Sequence, residues 1–159
     1  MMLNEVVLQR VADWRPGGGG RRTLSIPDEG SGWSVAIIAD QHDKLGSALW
    51  EVTLTAAAPP AGRSLHDWAH QIAGRATGLL EALKVVEVDG ARDEAILRSD
   101  EPAAQGDRVA YYEVFLQGNR RATFRRYLAS RQAHQPREQV PFTLTHEVLA
   151  KLVSDLAGA

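Results

Sequence analysis

Apolar residues recur along this chain at two spacings, and the switch between them marks where strands give way to helices. From Ser64 to Leu83 they return every three or four positions. Leu65, Trp68, Ile72, Ala76, Leu79 and Leu83 fall on one stripe, so the spacing predicts a helix over about 64–83 with one covered side. Ser64 is a good N-cap, and Asp67 three residues later completes a carboxylate version of the capping box. Gly74 and Gly78 weaken the pattern by up to ~1 kcal/mol each relative to alanine. A second stripe, Leu144, Val148, Leu149, Leu152 and Leu156, follows the cap Thr145 and stops before Gly158, predicting a closing helix over about 145–157.

The remaining apolar stretches read as strands. Glu5–Trp14 mixes strand formers with polar residues and is expected to be the first. Thr23–Ile26, Trp33–Asp40 and Ser47–Ala57 follow. In the last of these, Leu49, Glu51, Thr53 and Thr55 alternate with Ala48, Trp50, Val52 and Leu54, as in a half-buried strand. Lys84–Val88 and Asp93–Ser99 come after the central helix. Arg108–Gln117 and Arg121–Ser130 then flank Gly118-Asn119, a pair suited to a two-residue primed turn. That turn sets Gln117 opposite Arg120, Phe115 opposite Ala122, Glu113 opposite Phe124 and Tyr111 opposite Arg126. Glu113 and Arg126 would then share a face as a diagonal ion pair, whereas a three-residue loop would reverse every face.

Turn-rich sequence separates these segments: a flexible glycine-rich loop at 15–20, then Pro27–Gly32, Asp100–Asp107 and the polar stretch Gln132–Gln139. Short turns, not helical crossovers, join the strands. The expectation is therefore α+β: a single domain, 1–159, with a mainly antiparallel sheet packed on two helices in the order strands–helix–strands–helix.

Composition narrows the chemistry. The chain has no cysteine, which removes disulfides, thiolate metal sites and thiol nucleophiles. A formal charge of −2 argues against a general nucleic-acid binder. No apolar run suits a membrane span or a secretory leader, so a cytoplasmic protein with no membrane association is expected. Gly17–Gly20 is followed by arginines and a strand in place of the GK[ST] and helix of a phosphate loop, and no serine sits in a GxSxG elbow.

Two constellations remain. His66-Asp67-Trp68-Ala69-His70 places two histidines at i and i+4 on one helix face, the spacing of a zinc-binding pair, but with Asp in place of the usual Glu and no evident third ligand. Arg120, Arg121, Arg125 and Arg126 concentrate positive charge on the hairpin, where they could meet an anionic partner surface. Trp14, Trp33, Trp50 and Trp68 read as core residues, and a cavity near Trp68 and Trp50 would mark a small-ligand pocket between sheet and helix.

The order of elements resembles the PsbP-like α+β fold, the group of PsbP, DcrB-type proteins, a Ran-binding import factor and type VI effector-associated chaperones. The likeness rests on Ile26-Pro27 through Gly32-Trp33-Ser34, the Ser64-Leu65 helix start, Lys84-Val85-Val86 with Asp89-Gly90, the aromatic hairpin and the closing helix. It spans nearly the whole chain, although Gly17–Gly20 and the 131–140 loop depart from it. A type III secretion chaperone-like fold is the competing likeness. Both imply a protein partner and transfer no functional residue. The function expected is a non-enzymatic, cofactor-free binding domain, adaptor- or chaperone-like. The alternatives are a metal protein using His66 and His70, and a small-ligand binder.

Overall fold

The computed structural model describes residues 1–158 except Thr77, Leu80 and Ala133. The chain opens with a helix, α1 (Leu3–Asp13), where a strand is expected from the sequence. Leu3, Val6, Val7 and Val11 are buried, a helical spacing that the β-branched residues mask in a strand-minded reading. Packing on the last helix overrides the modest helix propensity of valine, and the Glu5 carboxylate accepts the orphan Met2 N–H at 3.0 Å.

Three strands follow: β1 (Arg22–Ile26), β2 (Trp33–His42) and β3 (Gly46–Ala56). Then comes α2 (Leu65–Arg75), capped reciprocally by Ser64 and Asp67 as the sequence indicates. It is shorter than the 64–83 stripe. Ala76 closes it with an N–H to Ile72 O bond, and Leu83 belongs to the next strand. Gly74 and Gly78 are poor helix formers at this end; Thr77 and Leu80, within the expected span, lie outside the described residues.

The second sheet section is β4 (Leu83–Asp89), β5 (Glu94–Ser99), β6 (Ala103–Gln105), β7 (Arg108–Gln117), β8 (Arg121–Ser130), β9 (Glu138–Val140) and β10 (Phe142–Thr145). The closing helix α3 (His146–Ala157) starts on the cap Thr145 and ends at Gly158 in the left-handed region, φ 78°, as expected. The order is thus helix–strands–helix–strands–helix. The coarse class holds: an α+β chain whose described strands form one antiparallel sheet.

That sheet runs β1-β2-β3-β8-β7-β5-β4. β3 and β8 pair at one end only, Val52 to Thr55 against Phe124 to Arg121, and splay apart beyond it. The chain enters this V along β8 as β9, bends at Pro141 and leaves along β3 as β10. Two short strands therefore form where a polar loop and its sequel are expected, with Gln139 Nε2 bonded to Trp50 O at 2.7 Å.

The three helices cover one face, which carries Ile37, Val52, Leu54, Phe124, Val114 and Leu97. Trp68 is fully buried there, and its Nε1–H donates to Leu156 O at 2.7 Å, tying α2 to α3. Arg63 lies over the Trp68 ring at 4.6 Å and donates to Ala157 O, a cation at the carbonyl end of α3. Burial lowers its pKa. No helix among the described residues is long and apolar enough to cross a membrane.

Two local features set what the other face displays. Ile38 pairs with Glu51 and Ala39 with Leu49, so Trp50 is the extra residue of a bulge. The alternation expected for β3 breaks there: Leu49 joins Val52 and Leu54 in the core, while Trp50 turns outward with Glu51. The β7–β8 turn has three residues, since Gln117 pairs with Arg121. Gly118 and Asn119 both have positive φ, 63° and 51°. Asn119 Nδ2 is held by Arg63 O at 2.6 Å, and Arg120 O accepts from Ala56 N. The two-residue register is therefore incorrect. Glu113 faces Arg125, Tyr111 faces Tyr127, and Arg126 goes to the opposite side of the sheet from Glu113.

Candidate functional site

The face without helices presents side chains from β1, β2, β3, β8, β7 and β5, with a charged network along its middle. Glu113 is almost fully buried and accepts two guanidinium groups. Arg98 Nε reaches Oε1 at 2.9 Å, while Arg137 bridges both oxygens at 2.9 and 3.2 Å. Arg137 also donates to Tyr111 Oη at 3.2 Å and lies over the Tyr127 ring at 3.7 Å. One strand away, Glu51 Oε1 accepts Arg125 Nε at 2.6 Å and its Oε2 accepts the Thr53 hydroxyl at 3.1 Å. Arg125 Nη1 reaches Tyr127 Oη at 3.3 Å, which links the two halves.

Burial pulls the pKa of Arg137 and Arg125 down. In Arg137, hydrogen bonds to Glu113 and Tyr111 outweigh that effect; in Arg125, those to Tyr127 and Glu51 do. Both end above the ordinary arginine value. They are permanent cations, suited to holding anions and unsuited to exchanging protons. At the β1 edge of the same face, Arg21 stacks on Trp50 at 3.6 Å, and the indole N–H donates to Asp40 at 3.0 Å.

A cleft of about 340 Å³ lies beside this network, crossing four adjacent strands. Its lining includes Ser25, Ser34, Ala36, Thr53, Thr55 and Arg121. Arg121 is exposed and, unlike its neighbour Arg125, has no carboxylate within ion-pair distance among the described residues.

The structure divides the four arginines singled out from the sequence. Arg121 and Arg125 are on the open face. Arg126 is under the helices, paired with Glu81 at 3.0 Å and set over the Tyr112 ring. Arg120 is tied into the turn, its Nε bonded to Ala56 O at 2.8 Å and Nη2 to Ala57 O at 3.2 Å. Arg98, Arg137 and Glu113 complete the network, and sequence spacing could not group them, because Arg137 comes from a segment read as a loop.

His66 and His70 do come together, exposed on α2 with ring centroids 4.1 Å apart in an edge-on arrangement. Among the described residues no group of three or more His, Cys, Asp or Glu is placed to hold a metal ion. Trp50 and Trp68 lie on opposite faces of the sheet, and Trp68 packs in the core, so no sheet–helix pocket joins them.

A different histidine pair is enclosed. His42 at the end of β2 stacks on His146 of α3, 5.0 Å between centroids and 12° between planes, and its other neighbour is the Trp14 ring at 4.9 Å. Its Nδ1 is 2.6 Å from Ser47 Oγ. Burial first, and then the nearby His146, lowers the His42 pKa from 6.5, partly offset by the Val11 carbonyl and Asp43. An adjoining cavity of about 240 Å³ is lined by His42, Asp43, Ser47 and Leu144 among others.

No protein-family model matches the chain, and neither a curated protein nor a solved structure does so.

Proposed function

We propose that this protein is a non-enzymatic, cytoplasmic protein-binding domain, adaptor- or chaperone-like, that meets its partner with the open face of its sheet. The observation supporting this is the one-sided architecture. All three helices lie on one face, and over the other, to which six strands contribute, no helix lies among the described residues; Arg137, from the stretch before β9, folds onto its middle. Apart from Arg121, the charged groups along its middle are held by one another and by the Tyr111 and Tyr127 hydroxyls at 2.6–3.3 Å, an arrangement that fixes shape and charge pattern. Arginines that stay protonated give general acid–base chemistry no proton to move. The resemblance to the PsbP-like group points the same way, since its members mostly bind other proteins through variable surfaces.

The test is co-purification from native lysate with tagged wild-type protein and an Ile38→Arg variant. Ile38 is half-buried on the open face, where a longer side chain can carry its charged head into solvent, so the variant is expected to melt cooperatively like the wild type. Wild type should retain a stoichiometric protein that Ile38→Arg loses. Equal retention by both would place the contact elsewhere, and turnover of a metabolite with no protein retained would overturn the reading.

A further inference from the structure

The cleft at Arg121 has a chemistry that names part of its occupant. Ser25, Ser34, Thr53 and Thr55 come from three neighbouring strands and Arg121 from a fourth, so the cleft crosses the strands instead of following one. Three inter-strand steps span about 14 Å, the length of roughly four extended residues. Its anionic group is already used: Glu51 Oε1 is taken by Arg125 and Oε2 by Thr53. Ser34 Oγ donates to Thr55 O at 3.3 Å, leaving lone pairs on its hydroxyl oxygen free to accept. Among the described residues, the free charge left in the cleft is the guanidinium of Arg121, which has no carboxylate partner there, while Glu94 stands two strands away across Gln117.

We propose, building on the docking reading above, that this cleft receives a short extended segment of the partner protein and that Arg121 pairs with an aspartate or glutamate side chain at one end of it. The Ser34 and Thr53 hydroxyls, whose protons go to Thr55 O and Glu51, accept from the segment's backbone N–H groups, while those of Ser25 and Thr55 also donate to its C=O groups. A small free carboxylate would gain too little here. The cleft is open above, so a single exposed ion pair stays solvated and weak, and only a segment that also makes contacts along the hydroxyls holds its position. Charge supports the assignment. The molecule is −2 overall, yet on the part of this face from β3 to β7 Arg121, Arg125 and Arg137 stand against Glu51 and Glu113.

The experiment is an amide NMR titration of the full chain with the capped tetrapeptide acetyl-Glu-Ser-Thr-Ser-amide at low salt. Its glutamine analogue, and the glutamine analogue with a free C-terminal carboxylate, run in parallel. Shifts are expected at Ser34, Thr53, Thr55 and Arg121, with binding about fivefold or more weaker for the glutamine analogue and for Arg121→Ala. Arg92→Ala, which removes an exposed charge on the β4–β5 turn, should leave binding unchanged. Shifts confined to other surfaces, no shifts with any peptide, or tighter binding of the free C-terminal form would overturn the assignment. Equal binding of the glutamine analogue in the cleft would overturn the carboxylate alone and leave the docking reading standing. Partner retention that survives Arg121→Ala but not Ile38→Arg would do the same.

Discussion

His42 is held between Trp14, the residue that caps α1, and His146 of α3, and it hydrogen-bonds to Ser47 of β3. One ring therefore joins the N-terminal helix, the sheet and the C-terminal helix. Its charged form is disfavoured because the ring is partly removed from water beside a second histidine; Arg15 acts in the same direction, and Asp43 opposes it only in part. The sign of the consequence follows from linkage. The folded pKa is below 6.5, so under that pH the unfolded chain takes up the proton first. The contribution of His42 is then complete above about pH 6.5 and is lost as pH falls through its folded value. Urea midpoints for wild type and His42→Gln are expected to differ most near pH 7.5 and to converge towards pH 5. A difference constant with pH would show that the ring titrates normally. Nothing in the sequence flagged this pair, because His42 and His146 are over a hundred residues apart and neither stands in a motif. The pair the spacing does single out, His66 and His70, is on an exposed helix face.

At the scale of elements, what was legible followed periodicity and caps. Thr145 and Gly158 bound α3, Ser64 and Asp67 start α2, and the alternation of β2 runs unbroken from Trp33 to Ala39 because the extra residue of the bulge at Ile38/Ala39 is Trp50 on β3. What failed did so where tertiary contacts outweigh local signals. α1 is a helix of valines because α3 covers it. β9 and β10 exist because β3 and β8 diverge and leave backbone groups that only another strand can satisfy. The turn at Gly118-Asn119 takes a third residue because Arg120 completes the ladder to Ala56. That one residue decides the site, since it sends Arg126 under the helices and Arg125 to the open face. The β3–β10 pairing has its own checkpoint at Gly46. A Cβ added there would be 2.6 Å from the Leu144 carbonyl oxygen, backbone that has nowhere to move without breaking the pair. Gly46→Ala is expected to cost about 1–3 kcal/mol in urea unfolding. A variant as stable as wild type would mean that β10 adjusts freely against β3.

For the whole molecule, the decisive property is that the sheet is covered once. An antiparallel sheet can face water on one side when that side carries enough polar groups, and here threonines, serines and paired charges share the uncovered side with half-buried apolar residues such as Ile38 and Val109. The α+β class was visible from the pattern of segments, but which face stays open was not, because it depends on the β3 bulge and the β7–β8 register. The proposal that this face is the contact surface is tested most directly by site-specific photo-cross-linking in native lysate. A photoreactive residue is placed either at Val109 on the open face or at Gln9 on the outer side of α1. The account predicts a discrete protein adduct from position 109 and none from position 9. An adduct from position 9, with nothing captured at position 109, would contradict it.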